Sequence, residues 1–310
     1  TSAIEGEYFN VDSVRSSLAK RLGMNQAGLP PGTPQTEGLA DLLVDATRNP
    51  EQPLTEARLY QWHQALFPTG GGVLSNIHVG ELRGNDSMQV VSGPIGHQTV
   101  HFEAPPREIL EAELKLFFDW FNQKQGNLDP LLRAGIAHLW FVTLHPFDDG
   151  NGRLARAITD LALAQAEQHS VRFYAMSATI MENRKAYYQI LEKTQRGNMD
   201  VTDWLAWFLL MLQQTLRKAH TQVSHVLQKA RFWQQHAQSA LSERQIKVLN
   251  RLLDAGPEGF EGGLNARKYM GLTQVSKATA TRVLGELVGK GCIVHRQGGG
   301  RSTSYEINWP

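Results

Sequence analysis

The sequence predicts a mainly α-helical protein with a small β-hairpin in its first half and a winged helix-turn-helix domain at its end. Apolar residues recur at helical spacing along most of the chain. Within residues 88–103, two β-prone runs flank a Gly/Pro turn, which is typical of a hairpin. After residue 241, three short helical segments precede two strand-like segments, and this order is typical of a winged helix.

The predicted elements follow one another in a simple order. Residues 1–26 are predicted to form one helix, because Val11, Val14, Leu18 and Leu22 recur at helical spacing. Asp129-Pro130 is a helix start signal, since Asp can cap a helix and Pro fits its first position. The other predicted helices lie near 37–48, 55–67, through most of 107–238, and at 241–255, 266–270 and 277–290. The last two strands are predicted at 291–295 and 303–307, around a glycine turn at 297–301.

Composition restricts the function classes. At 310 residues, two or more domains are expected. The net charge of +1 argues against a general polyanion binder. A single cysteine, Cys292 in an apolar run, excludes a disulfide within the chain and reads as a buried hydrophobe. The longest apolar run, Trp204–Leu212, is shorter than the ~20 residues that span a bilayer. We therefore expect a cytoplasmic protein with no membrane partner.

The segment His145–Arg156 concentrates unusual chemistry. Gly150 and Gly152 allow a tight turn, and a helix follows at once, so free backbone N–H groups and a positive dipole end are exposed there. This arrangement typically binds phosphate. Arg153 and Arg156 are unfavourable at a helix start, and an anionic ligand would resolve that conflict.

Two further side chains of this segment fit phosphate chemistry. Asp149 could hold Mg²⁺, which favours carboxylate and phosphate oxygens. His145 could take a proton from a hydroxyl nucleophile, because its pKa lies near neutrality. Each feature alone is commonly structural, as a helix cap, a turn or a solvated face. Their combination within one short segment favours a nucleotide site.

The segment resembles the signature of the Fic family, His-x-Phe-x-(Asp/Glu)-Gly-Asn-(Gly/Lys)-Arg-x-x-Arg, with every fixed position matched. The resemblance covers roughly residues 1–220 and implies an all-helical Fic core with a β-hairpin flap. It implies a protein adenylyltransferase that transfers AMP from ATP, with Mg²⁺, to a Ser, Thr or Tyr hydroxyl of a target protein. Gly152 favours AMP transfer, whereas relatives with Lys at this position include Doc-type kinases.

The resemblance also implies a role for each motif residue. His145 would be the general base, Phe147 a core anchor and Asp149 the Mg²⁺ ligand between the α- and β-phosphates. Gly150, Asn151 and Gly152 would line the anion hole. Arg153 would contact the β-phosphate and Arg156 the γ-phosphate.

Two more regions resemble parts of a Fic site. Residues 183–188 resemble the segment that lines the nucleotide base in relatives, and Tyr188 and Gln195 are the candidate adenine contacts. The alternative is that Tyr187 and Tyr188 are core aromatic residues. The flap at 88–103 would dock the target's backbone as an added strand, unless it is merely a structural hairpin.

Residues 1–6, Thr-Ser-Ala-Ile-Glu-Gly, resemble the inhibitory motif (Ser/Thr)-x-x-x-Glu-(Gly/Asn) of many Fic proteins. This resemblance implies that Glu5 forms a bidentate pair with Arg156, takes the place of the γ-phosphate and keeps the enzyme autoinhibited. The same glutamate positions a water molecule in some relatives, so hydrolytic removal of AMP, de-AMPylation, is the alternative activity.

The predicted domains are an inhibitory helix region (1–26), a Fic core (27–218), a linker helix (219–240) that is not a core element, and a winged helix (241–310). The last contains ten Lys/Arg and six Asp/Glu, so a DNA partner and a protein partner are both open. The candidate DNA contacts are Lys277, Thr279, Thr281, Arg282, Arg296 and Arg301. A nucleotide-sensing transcription regulator is the third hypothesis, against which the intact His145 argues. Related proteins often dimerise, which leaves a homodimer open.

Overall fold

The computed structural model describes residues 1–25, 28–70, 77–92, 99–123, 128–167, 174–256, 259–296 and 303–310. It divides into two compact units, Thr1–Leu216 and Arg217–Pro310. The predicted fold class, mainly α with small hairpins, is confirmed. The division into four domains at finer boundaries stays a prediction. Within the described ranges, every helix is too short or too polar to cross a lipid bilayer.

The first unit is a helical domain with one hairpin. A short 3-10 helix, Ser2–Glu5, comes first. It is followed by α1 (Val11–Arg21), α2 (Pro34–Arg48), α3 (Glu56–Leu66), β1 (Gln89–Ser92), β2 (Thr99–Glu103), α4 (Arg107–Asn122), α5 (Pro130–Leu144), α6 (Asn151–Glu167), α7 (Met176–Glu182) and α8 (Arg184–Gln195). A long helix, α9 (Thr202–Gln235), contains the division between the units.

The predicted single helix over residues 1–26 is wrong. Gly6 adopts a left-handed conformation (φ 90°), which ends the 3-10 helix and separates it from α1. The residues whose spacing indicated this helix do not form its buried face, since Val11 is 63% and Leu22 is 39% exposed. The buried face carries small serines instead, and the Ser17 hydroxyl lies 3.0 Å from that of Thr36 on α2. Small side chains allow α1 to approach α2 closely, so packing overrides the hydrophobic spacing.

The centre of this unit is the antiparallel pair α5 and α6, which the 145–150 loop joins. The predicted start of α5 is confirmed: the Asp129 carboxylate accepts hydrogen bonds from the N–H groups of Leu131 and Leu132. Large side chains such as Phe117 and Phe141 are fully buried around the pair. Each contributes roughly 1.5–3 kcal/mol of burial free energy, which fixes the two helices and therefore the loop between them.

The predicted hairpin is confirmed by the antiparallel pairing of β1 and β2, in which Val90 faces Phe102 and Val91 faces Val100. The register shifts between Val90 and Val91. The predicted Gly/Pro turn, residues 92–96, falls after Ser92 on residues 93–98, which lie outside the described residues.

The second unit has the predicted order of elements. Helices α10 (Glu243–Asp254), α11 (Ala266–Thr273) and α12 (Lys277–Gly289) precede the antiparallel strands β3 (Ile293–His295) and β4 (Tyr305–Ile307). Cys292 is fully buried in its core, as predicted, and burial raises the pKa of its thiol. The predicted turn 297–301, including Arg301, lies outside the described residues.

One expectation about this unit is wrong. The predicted linker helix belongs to α9, and its Phe232 is fully buried in the same core as Leu249 and Leu284. The Gln-rich composition of this segment did not indicate its contact with the core, because that contact depends on one large aromatic side chain, Phe232.

Candidate functional site

The loop that joins α5 to α6 is built around two left-handed residues. His145 ends α5 at φ 48° and ψ 57°, and Gly150 precedes α6 at φ 81°. Between them, the Asn151 side chain closes the loop: its Nδ2 donates to the Phe147 carbonyl (2.7 Å) and its Oδ1 accepts from the Phe147 N–H (3.0 Å). The side-chain amide of Asn151 therefore shapes the loop from inside, where it is buried.

The His145 ring has a defined tautomer. Its Nδ1 lies 3.2 Å from the Val142 carbonyl, which can only accept, so Nδ1 carries the proton. Burial lowers the pKa of His145 below its ordinary value of 6.5, although the bond to Val142 acts in the opposite direction. The ring is thus neutral at pH 7, and Nε2 keeps a lone pair that can accept a proton.

The inner side of the loop rests on Phe147 and His63. Phe147 is fully buried, in the predicted anchor position, and its ring stacks on that of His63 at 4.1 Å. The His63 Nδ1 accepts from the Gly80 N–H (2.9 Å), so its Nε2 donates to the Asp149 carbonyl (3.2 Å). Burial lowers the pKa of His63, which keeps this donor and acceptor pattern at neutral pH.

The outer side of the loop is held by Arg83, which is 2% exposed. Its Nε donates to the His145 carbonyl (2.9 Å), and its backbone N–H donates to the Pro146 carbonyl (3.0 Å). The sequence did not predict Arg83 or His63 as site residues. Both lie far from the motif along the chain, and only the fold brings them to it.

The two motif arginines are buried and paired with carboxylates of the N-terminal segment. The Arg156 Nη2 lies 2.8 Å from the Glu5 Oε1, and the Arg153 Nη1 lies 2.7 Å from the Glu7 Oε2. The second Glu5 oxygen lies 3.5 Å from the Arg153 Nε. The predicted pairing of Glu5 with Arg156 is therefore present, but its predicted bidentate geometry is wrong: the carboxylate lies between two arginines. Glu7 was not predicted.

Gly152 makes room for the Glu5 carboxylate. A Cβ atom at Gly152 would lie 1.9 Å from the Glu5 Oε1, so any larger residue would displace that oxygen. The carboxylate thus lies against the first turn of α6, where the helix dipole favours negative charge.

Asp149 has a free side for a cation. Its Oδ1 accepts from the Gly150 N–H, its Oδ2 is 3.4 Å from the Arg153 Nη2, and its side chain is half exposed. No cluster of three or more His, Cys, Asp or Glu that could hold a metal occurs in the part of the chain described. A single carboxylate fits Mg²⁺, which often takes one protein carboxylate together with substrate phosphates.

A cavity of about 670 Å³ opens beside this loop, a volume within the range of small-molecule sites. The loop contributes His145 and residues 148–152, and Glu5 lies at its edge. The hairpin contributes Val90, Val91, His101 and Phe102. Helix α8 contributes the opposite wall, which includes both predicted adenine contacts, Tyr188 and Gln195. The cavity is therefore a cleft lined by the 145–150 loop with the start of α6, by the hairpin, and by a wall of α8 that carries two tyrosines among charged and amide side chains.

The two tyrosines of α8 differ. The Tyr187 ring is fully buried and its hydroxyl lies 2.9 Å from the His138 Nε2, so it is chiefly a core aromatic. Tyr188 is 39% exposed, and its hydroxyl donates to the Ile4 carbonyl (3.3 Å). Gln195 donates to the Thr143 hydroxyl (3.1 Å).

The hairpin is attached to α8. The His101 Nδ1 lies 2.8 Å from a Glu192 carboxylate oxygen, and Arg196 donates to the His101 carbonyl (2.9 Å). Val91 and Val100 are partly exposed on the hairpin. The hairpin therefore covers one side of the cavity.

A glycine turn, a helix N-terminus and two buried arginines thus lie together beside a cavity, an arrangement that is typical of phosphate-binding sites. Residues 53–163 match the Fic/DOC family, and residues 1–24 match a domain of unknown function (DUF4172). Residues 53–163 therefore form a Fic domain of the Fic/DOC family.

Curated relatives share part of the chain. The protein adenylyltransferase fic-1 of Caenorhabditis elegans is 35% identical over 95 residues, 30% of this chain and 17% of the relative. The protein adenylyltransferase Fic of Drosophila willistoni is 27% identical over 200 residues, 63% of this chain and 36% of the relative. The chain thus spans well under half the length of these relatives. A crystal structure of a Fic family protein from Desulfovibrio desulfuricans G20 has the same fold, with a TM-score of 0.52 and 21% identity over 98% of this chain and 83% of that one.

Proposed function

We propose that the chain transfers AMP from ATP to a hydroxyl group of a target protein, and that Glu5 inhibits this transfer. The observation that carries the proposal is the neutral His145 ring, with Nε2 unprotonated, at a cavity that also contains the loop and the start of α6. A base and an anion-binding helix start at the same cavity are what phosphoryl-group chemistry requires.

In the proposed reaction, the target hydroxyl oxygen attacks the α-phosphorus of ATP. The bond from this phosphorus to the oxygen bridging to the β-phosphate breaks, and pyrophosphate leaves. The His145 Nε2 takes the hydroxyl proton. The backbone N–H groups around Gly150 and Gly152 stabilise charge that develops on the phosphate oxygens.

The remaining contacts follow from the charges of the site. Arg153 and Arg156 would contact the β- and γ-phosphates, and Tyr188 and Gln195 would lie against adenine. Asp149 would hold Mg²⁺ together with phosphate oxygens, and a bound Mg²⁺ would neutralise part of the phosphate charge. The flap at 88–103 would receive the target segment. A DNA or protein partner for residues 241–310 stays a prediction.

The proposed inhibition has a direct physical basis. The Glu5 carboxylate lies 2.8 Å from Arg156, and the Glu7 carboxylate lies 2.7 Å from Arg153. Both arginines are buried, so phosphates and these carboxylates compete for the same cations. ATP would then bind in an unreactive pose unless the N-terminal segment moves away.

Labelling with ATP that is radioactive at the α-phosphate tests the proposal, in a cell lysate with Mg²⁺. The native chain, Glu5→Gly, and Glu5→Gly combined with His145→Ala are compared. We expect much more labelled protein with Glu5→Gly than with the native chain, and none with the double variant. ATP labelled at the γ-phosphate is the control, since label in excess of that in the same lysate without the chain would indicate phosphate transfer by a kinase. Absence of α-label with Glu5→Gly, in a variant that still binds ATP, would refute AMP transfer.

A further inference from the structure

Arg83 donates hydrogen bonds to the backbone at and next to His145, the proposed base. Three of its groups act on neighbouring segments: the side-chain Nε on the His145 carbonyl, the backbone N–H on the Pro146 carbonyl, and Nη2 on the Pro105 carbonyl at 2.5 Å. The Arg83 carbonyl in turn accepts from the Arg107 Nε (3.0 Å). One buried residue therefore fixes two consecutive peptide groups of the loop.

His145 requires such support because of its backbone. A non-glycine residue in the left-handed region is disfavoured by roughly 1–2 kcal/mol, so the surrounding structure must hold it there. Its carbonyl also comes after the last turn of α5, where helix carbonyls have no partner within the helix. Arg83 supplies the missing donor for that carbonyl, and the next carbonyl is held by the same residue.

The conformation of His145 determines where its ring points. Nδ1 reaches the Val142 carbonyl only when the ring folds back over the last turn of α5, and that contact leaves Nε2 as the acceptor. A change of His145 from its left-handed φ of 48° to a negative φ would swing its Cβ, and the ring with it, away from Val142, and would also move the carbonyls that follow. The hydrogen bonds of Arg83 oppose that change.

We propose that Arg83 is a positioning residue for His145, which it keeps in the left-handed conformation and in the Nδ1–H tautomer. Its effect on rate rests on the proposed AMP transfer, whereas its effect on the ring does not. Arg83 acts through the backbone of His145 and, in this role, touches neither nucleotide nor target.

The chain contains a matched control in Arg58. This arginine is also buried, at 7% exposure, and also donates to backbone carbonyls: Nη1 to Gln52 (2.7 Å) and Nη2 to Asp45 (3.1 Å). Its partners lie at α2 and the segment after it, not in the 145–150 loop. Loss of stability alone would affect Arg58 and Arg83 variants alike.

The first measurement reads the ring directly and needs no activity. Nitrogen-15 NMR of the imidazole at pH 8, in the full chain, distinguishes the Nδ1–H and Nε2–H tautomers, and His145→Ala identifies the signal. We expect the Nδ1–H form in the native chain and in Arg58→Lys. In Arg83→Gln and Arg83→Lys we expect a mixture of the two tautomers. An unchanged single tautomer in both Arg83 variants would overturn the proposal.

The second measurement uses steady-state AMP transfer in the Glu5→Gly background. We expect Arg83→Gln to lower kcat by at least about tenfold while the KM for ATP changes less than about twofold, since a misplaced catalytic group slows chemistry more than binding. Arg83→Lys, which keeps one donor and the charge, should recover part of the rate. Equal losses in Arg58→Lys, or a rise in KM alone, would contradict the positioning role.

The two measurements separate this inference from the proposed function. If Glu5→Gly transfers no AMP, the proposed function fails, and the tautomer still decides the role of Arg83. If Arg83→Gln does not fold, Arg83→Lys answers both measurements.

Discussion

Replacement of Glu5 should activate AMP transfer in a graded way. In the structure, Glu5 is three-quarters buried and makes one charge-assisted hydrogen bond of 2.8 Å to Arg156, which is 4% exposed. Such a bond is worth about 1.5–3 kcal/mol, and a neutral one about 0.5–1.5 kcal/mol. Glu5→Gly removes the whole contact, whereas Glu5→Gln keeps a neutral acceptor and removes only the charge.

These energies convert into rates if the closed N-terminal segment prevents reaction. At 1.4 kcal/mol per factor of ten, Glu5→Gly should raise the initial rate about 10- to 150-fold. Glu5→Gln should raise it about 5- to 10-fold, since the difference between the two bonds is about 1–1.5 kcal/mol. The initial rate should therefore increase in the order native chain, Glu5→Gln, Glu5→Gly.

The assay is the initial rate of α-labelled phosphate incorporation into lysate protein at fixed ATP and Mg²⁺. Asp45→Asn is the matched control, because Asp45 makes a pair of the same 2.8 Å length with the buried Arg58. That substitution should lower thermal stability without raising the rate. Equal rates for native, Gln and Gly chains, or activation by Asp45→Asn, would refute the reasoning.

Three further predictions concern single residues. The rate of AMP transfer by Glu5→Gly should be constant from pH 8 to 7 and should fall about tenfold per pH unit only below pH 6.5. The reason is that burial lowers the pKa of His145 and only its neutral form is a base. A pH–rate profile measures this, and a decline already at pH 7.5 would contradict it. Burial lowers the pKa of His138 to about 3, so below pH 6.5 the unfolded chain binds a proton that the native chain excludes. The free energy of unfolding should then fall by up to about 1.4 kcal/mol per pH unit, and by less in His138→Asn, in urea titrations at pH 7 and 5. Gly152→Ala should displace the Glu5 carboxylate and raise the labelling rate, yet add nothing in the Glu5→Gly background, as a double-mutant cycle would show.

The sequence predicted the parts of the molecule whose cause is local. Asp129-Pro130 starts α5 because capping depends on neighbouring N–H groups, and these lie within three residues. The 145–156 segment was predicted as a loop and helix start because its glycines act on their own backbone. The hairpin was predicted because two β-prone runs flank a short Gly/Pro turn.

What the sequence did not predict depends on packing between distant segments. The serine face of α1 is buried because α2 lies close to it, which no periodicity indicates. His63 and Arg83 reach the loop through the fold, although neither belongs to a motif. Glu7 pairs with Arg153 because Gly6 turns the chain, and that turn ended the helix which residues 1–26 were predicted to form.

The charges at the start of α6 connect these observations. Two arginines at a helix N-terminus are unfavourable alone, and the sequence therefore predicted an anionic partner. In the structure Glu5, Glu7 and Asp149 surround them, all from the chain itself. On the proposed function, binding of ATP would exchange these carboxylates for phosphates. The affinity for ATP should therefore depend on how firmly residues 1–7 are held, because each carboxylate that leaves exposes a buried cation to the phosphates.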